Sequence, residues 1–181
     1  MHSKTLYLHI GSPKTGSTAL QYFFAHNEER LRQEGICYPR YKRHPSIHNH
    51  LYFSNLVIKC GAKRHRKASS RDRARARRRI AAYLQKTVRE AGACHSILIS
   101  GEEMFFARDP SILMDIKALF GSVRLVVYLR RQDQFLESYY LQYYKMGKIR
   151  EPIHAHTFLK DDFWLDYYAR LESWAAVFGR G

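Results

Sequence analysis

Thr5-Leu6-Tyr7-Leu8-His9-Ile10 runs directly into Gly11-Ser12-Pro13-Lys14-Thr15-Gly16-Ser17-Thr18, and this junction decides the fold. The first six residues form an apolar, aromatic run of the kind that makes a strand. The glycines at 11 and 16 bracket a short polar loop, and from Ser17 a helical period begins. Leu20, Phe23, Phe24 and Leu31 recur on one stripe as far as Arg32, and Gly35 supplies the stop. Strand, glycine loop and helix in that order open a βαβ unit.

The rest of the chain continues the alternation. Ile36-Cys37-Tyr38-Pro39 reads as a short strand ended by its proline. A loop over 41–47 leads to a helix over 51–58. Ser96-Ile97-Leu98-Ile99-Ser100 and Arg124-Leu125-Val126-Val127-Tyr128-Leu129 are two further strands. Neither alternates apolar with polar residues, the pattern of strands buried on both faces of a parallel sheet. Helical periods fit 111–120, 133–145 and 161–178. This order predicts an α/β, three-layer P-loop-like fold, with a central parallel sheet flanked by helices. At 181 residues, one such domain accounts for the whole chain, 1–181.

Composition narrows the class. Hydrophobic residues make up 45% and aromatics 14%, which excludes a disordered chain. No stretch approaches the roughly 18 apolar residues of a membrane helix, so no membrane span is expected. The N-terminus lacks the apolar core and cleavage site of a signal peptide. Cys37, Cys60 and Cys94 are odd in number, widely spaced and without CxxC spacing, which reads as reduced thiols and no metal site. A cytoplasmic location is the expectation.

Lys and Arg total 31 against 16 Asp and Glu, a formal charge of +15. Most of that excess lies in one segment. Lys59, Lys63, Arg64, Arg66, Lys67, Arg71, Arg73, Arg75, Arg77, Arg78 and Arg79 face only Asp72. Ile80, Leu84, Val88 and Ala91 then follow at helical spacing, so 59–91 reads as a basic helical segment docked by its C-terminal half. A solvated helix face is the favoured reading of the charge, and a polyanion site the alternative. Zinc-finger spacing and aromatic RNA-binding motifs are absent, so nucleic acid is not expected as the main partner.

Three chemically loaded segments fall after strands, where ligands of parallel sheets bind. The first is the loop Gly11–Thr18. Backbone N–H groups at a helix start suit an anion, Gly16 permits close approach, and Lys14 adds a mobile charge. The lysine precedes Gly16, whereas a Walker loop carries Lys-Ser/Thr after it. An ordinary helix N-cap beside a surface lysine is the bland alternative. The second is Gly101-Glu102-Glu103. The third is Arg130-Arg131-Gln132-Asp133-Gln134-Phe135-Leu136-Glu137-Ser138, an arginine at a strand end and a serine two helical turns on. Two separated anion sites without a magnesium carboxylate suggest a nucleotide phosphorylated at both its 5′ and 3′ positions. A surface ion pair of Arg130 with Asp133 or Glu137 is the alternative.

Residues 8–20 and 126–140 together resemble the nucleotide motifs of the sulfotransferases that use 3′-phosphoadenosine-5′-phosphosulfate (PAPS), and most closely the bacterial-type members. The resemblance implies that Ser12, Lys14, Thr15, Gly16, Ser17 and Thr18 hold the 5′-phosphosulfate. It implies that Arg130 and Ser138 hold the 3′-phosphate, with 3′-phosphoadenosine-5′-phosphate (PAP) as product and no metal. Sulfuryl transfer to a hydroxyl or amine is the implied activity, with a carbohydrate or other anionic molecule as the expected acceptor and Lys14 neutralising the leaving oxygen. A general base is expected after a central strand: Glu102 first, then Glu103, with His48 and His50 as rival bases or acceptor contacts. Family members run longer, so the C-terminal part of the usual domain, a further strand and a basic glycine loop, is expected to be missing. A P-loop kinase or other nucleotide-binding protein, and a non-catalytic polyanion-binding module, are the alternatives.

Overall fold

The computed structural model describes residues 4–40, 49–61, 69–107, 109–150, 152 and 165–179. Strand β1 (Thr5–Gly11) leads through helices α1 (Ser17–His26) and α2 (Glu28–Gln33) to β2 (Ile36–Cys37). Helices α3 (Leu51–Gly61) and α4 (Ser70–Ala91) precede β3 (Ser96–Ser100). Two 3-10 segments, Glu102–Phe106 and Pro110–Leu119, lead to β4 (Ser122–Val127), followed by α5 (Gln132–Lys145) and α6 (Tyr167–Phe178).

The four strands form one parallel sheet in the order β2-β3-β1-β4, flanked by helices. This is the α/β architecture with a central parallel sheet that the alternation predicts. β1 sits between β3, with Leu6 opposite Ile97 and Leu8 opposite Ile99, and β4, with Leu8 opposite Leu125. The loops after β1, β3 and β4 therefore emerge side by side at one end of the sheet.

The core lies against the face bearing Leu6, Leu8, Ile10, Ile97 and Ile99, all fully buried. Phe53 and Val57 of α3, Ile80 and Leu84 of α4, Ile112 and Ile116 of the second 3-10 segment, and Trp174 of α6 complete it. Each large side chain buried here contributes about 1.5–3 kcal/mol of transfer free energy. Among the described residues no helix is long and apolar enough to cross a membrane.

Several expectations need correction. The single helix foreseen over 17–32 breaks at Asn27, whose N–H closes α1 on the carbonyl of Phe23 at 3.0 Å. Its buried line is Ser17, Gln21 and Ala25, not the stripe through Leu20 and Phe23, and Phe23 is exposed. β4 begins at Ser122 and ends at Val127, two residues earlier at each end than foreseen. It is an edge strand in the described sheet, with Arg124 exposed, so its apolar run does not reflect burial on both faces. Residues 110–119 are helical, but as a 3-10 segment started by Asp109, whose carboxylate accepts from the N–H of Ser111 at 3.1 Å. Residues 161–164, part of the helix foreseen over 161–178, lie outside the described residues.

Candidate functional site

The loop after β1 is tied to the end of β4 by an extension of their ladder. Tyr128 donates its N–H to the carbonyl of Gly11 at 2.8 Å, and Ser12 donates to the carbonyl of Tyr128 at 2.7 Å. Two residues past Tyr128, the Arg130 guanidinium donates to the carbonyl oxygen of Lys14 at 3.1 Å. Asp133, the acid nearest in sequence, is taken by Arg131 at 2.7 Å. Arg130 is thereby left to the loop.

Inside the loop, Thr15 Oγ1 donates to the carbonyl of Ser12 at 2.6 Å and Ser12 Oγ to that of Pro13 at 3.1 Å. These two hydroxyls brace the turn. Lys14 has φ 67° and Gly16 φ 87°, left-handed backbone that reverses the chain before α1. Gly16 is the N-cap of α1 and brings no side-chain hydrogen bond to it. The first N–H groups of α1, at Ser17 and Thr18, therefore have no side-chain acceptor, the arrangement in which a helix start binds an anion.

On the other side of β1 the backbone of Glu102 presses against the loop's first residue. A Cβ on Gly11, which has φ 103°, would stand 2.7 Å from Glu102 Cα and closer still to its carbonyl oxygen. Only glycine lets the two segments meet this closely.

A cleft of about 690 Å³ opens between these segments. Lys14, Gly16, Ser17 and Thr18 form one side, Glu102, Glu103 and Phe106 another, and Tyr139 and Tyr143 of α5 with Lys148 just beyond it a third. Burial pushes the Glu102 carboxyl up to about 7; the neighbouring Glu103 adds to the rise and Lys14 opposes it. Burial likewise raises Glu103. One carboxyl oxygen of each is enclosed and without a hydrogen-bond partner. A carboxyl half ionised near neutral pH, beside an ammonium group, is equipped to accept a proton from a ligand in the cleft.

The tyrosines were not singled out from the sequence, although Tyr139, Tyr143 and Met146 lie at i, i+4 and i+7. Tyr139 and Tyr143 stack at 4.7 Å with their hydroxyls 2.9 Å apart, and the Lys148 ammonium lies 5.3 Å from the Tyr143 ring centre. Tyr167 at the start of α6 was also missed. Burial raises its hydroxyl, while Ser12 and the charge of Arg130 pull the other way.

The remaining foreseen residues fall elsewhere. Arg130 and Ser138 do not line the cleft; Arg130 is exposed and reaches the loop only at the Lys14 carbonyl, and Ser138 is half-buried on α5. His50 is buried with both ring nitrogens engaged. Its Nδ1 accepts from the N–H of Ser100 at 3.0 Å, so its proton sits on Nε2, which donates to the carbonyl of Pro39 at 2.7 Å. Burial holds it down to about 4. It joins α3 to the ends of β2 and β3 and does not face the cleft. His48 lies outside the described residues. Among the described residues no group of three or more His, Cys, Asp or Glu is placed to hold a metal ion.

No protein-family model matches the chain, and comparison with curated proteins found no match.

Proposed function

We propose that the chain is a PAPS-dependent sulfotransferase, moving a sulfuryl group to a hydroxyl or amine of an acceptor held in the Lys14–Glu102 cleft. The observation that carries this reading is the flanking of one loop by two different groups. Glu102, raised to about 7, faces Lys14 across the cleft, and the Arg130 guanidinium reaches the same loop from behind.

The residues present suit a nucleotide with anions at both ends. The uncapped start of α1 and the Lys14 ammonium would bind the 5′-phosphosulfate. Arg130, Ser138 and the nearby Tyr167 hydroxyl would meet the 3′-phosphate on the other side of the loop. In the transfer, the acceptor oxygen forms the new bond to sulfur as the bond from sulfur to the 5′-phosphate oxygen breaks. Lys14 neutralises charge on that leaving oxygen, and Glu102 takes the acceptor proton. PAP and the sulfated acceptor are the products. Positioning and fixed charge supply most of the rate.

Calorimetric titration with PAP, PAPS and ATP, each with magnesium and in EDTA, tests the reading. PAP and PAPS binding in EDTA is expected. Binding of ATP with magnesium and not of PAP would overturn it in favour of a kinase-type nucleotide site.

A further inference from the structure

The N-terminal half of helix α4 carries two sets of arginines, and the fold pairs only one. Arg73 pairs with Asp109 at 2.5 Å and donates to Ser111 Oγ at 3.3 Å. Arg77 lies 3.7 Å from Asp115. Arg79 donates to the Tyr52 hydroxyl at 3.0 Å, with its guanidinium 5.6 Å from that ring's centre. These three flank the buried line Ala76, Ile80 and Leu84 and fasten α4 to its neighbours.

Arg71, Arg75 and Arg78 stand at i, i+4 and i+7 away from that line, with Arg78 also at the rim of a small groove it shares with Arg77, Ile112 and Asp115. All three are exposed, and none has an ion-pair or hydrogen-bond partner among the described residues. Holding them there costs stability. Like charges at this spacing repel, and the first turn of a helix, where Arg71 stands, already carries positive potential. Asp72, the one acid of the first turn, accepts from Ser69 Oγ at 2.7 Å. A bound anion would relieve the repulsion.

The strip's position and spacing indicate which anion. α4 runs back toward the start of β3, and its 22 residues span about 33 Å against about 17 Å for the five of β3. Its arginine half therefore reaches the end of the sheet where the Lys14–Glu102 cleft opens. Ile58 of α3, against which α4 packs, lines that cleft. Along the axis the three arginines step by about 6 and 4.5 Å, whereas each strand of duplex DNA carries a charge every ~3.4 Å. Such steps match a sugar chain with one charge per ring. The outward residues beside them are Ala74 and Ala82, so the row offers no aromatic on which bases could stack.

We propose that Arg71, Arg75 and Arg78 form a docking strip for a linear acidic polysaccharide running toward the cleft. Docking on the strip does not depend on sulfuryl transfer; the view that the same polymer enters the cleft rests on the function proposed above.

The test measures binding of the full chain to immobilised polygalacturonate, with uncharged dextran and a 20-base-pair duplex DNA as comparators. R71Q/R75Q/R78Q is compared with K86Q/R89Q, which removes charge from the same face farther along α4. The wild type should bind polygalacturonate and not dextran, more weakly as salt rises. The triple variant should lose about tenfold or more, and the double variant no more than about twofold, because only contacting cations release counterions. Equal PAP-induced melting shifts in the wild type and the triple variant would show the fold intact. The proposal is overturned if the wild type ignores polygalacturonate, if the triple variant binds as well as the wild type, or if both variants lose equally. Tighter binding of the duplex at the same salt would overturn it in favour of nucleic acid. Absence of a PAP shift in the wild type would remove the nucleotide reading and leave the strip standing or falling on its own result.

Discussion

The Arg130 guanidinium donates to the carbonyl oxygen of Lys14 at 3.1 Å, although 116 residues separate them. The pairing of β1 with β4, prolonged by the two hydrogen bonds between Gly11, Ser12 and Tyr128, makes that contact possible. One side chain therefore reports on both the loop's shape and the anion site proposed behind it.

Arg130→Ala is expected to weaken PAP binding about 10- to 100-fold, the loss of a charged hydrogen-bond donor worth ~1.5–3 kcal/mol. The PAP-induced rise in melting temperature, measured in EDTA, should shrink accordingly. Arg131→Ala should leave that rise unchanged, because Arg131 is paired with Asp133. An undiminished shift in the Arg130 variant would remove the 3′-phosphate assignment.

Glu102 sets an expected pH dependence. As a base it must be ionised, so transfer should rise with pH to a plateau with a midpoint about 7. Glu102→Gln should cut transfer by about 10²–10⁴ while PAP binding persists. Glu103→Gln removes a neighbouring negative charge and should move the midpoint lower. Stability follows the same group in the opposite sense. Ionising Glu102 is easier in the unfolded chain, so its contribution is full below about 4.5 and is lost as pH rises through about 7. The melting temperature of Glu102→Gln relative to wild type should therefore climb across that window. A pH-independent difference would contradict the burial of this carboxyl.

Gly11→Ala forces a Cβ against the backbone of Glu102 at a residue with φ 103°. A loss of ~2 kcal/mol is expected from the strained backbone alone. It should show in urea as a lower midpoint with an unchanged slope. A wild-type midpoint would mean that the loop and the Glu102 segment are not pressed together.

His50 should behave as a structural bracket. His50→Ala leaves the Ser100 N–H and the Pro39 carbonyl without their partner, at a cost of ~3 kcal/mol near pH 7. With its pKa held down to about 4, His50 stabilises the fold above about 6.5, and that contribution is lost as pH falls through about 4. The stability gap between wild type and variant should close over the same range. If it stays constant, the ring is not neutral in the fold. A variant that keeps its stability but loses transfer would return His50 to the list of candidate bases.

The chain's own order of residues determined the α/β class, the parallel sheet and the glycine loop ahead of α1. Those features depend on local periods, on β-branched runs and on glycine's conformational freedom, which neighbours in sequence display. The placing of Glu102 and Glu103 after β3 was legible for the same reason. Local pattern could not say that β4 is an edge, that Asp133 goes to Arg131, or that His50 spends both nitrogens on backbone. It also could not separate the arginines of α4 that Asp109, Asp115 and Tyr52 hold from Arg71, Arg75 and Arg78 beside them. Each of those outcomes turns on which distant groups the sheet register and helix packing bring within hydrogen-bonding reach, and only the tertiary structure decides that.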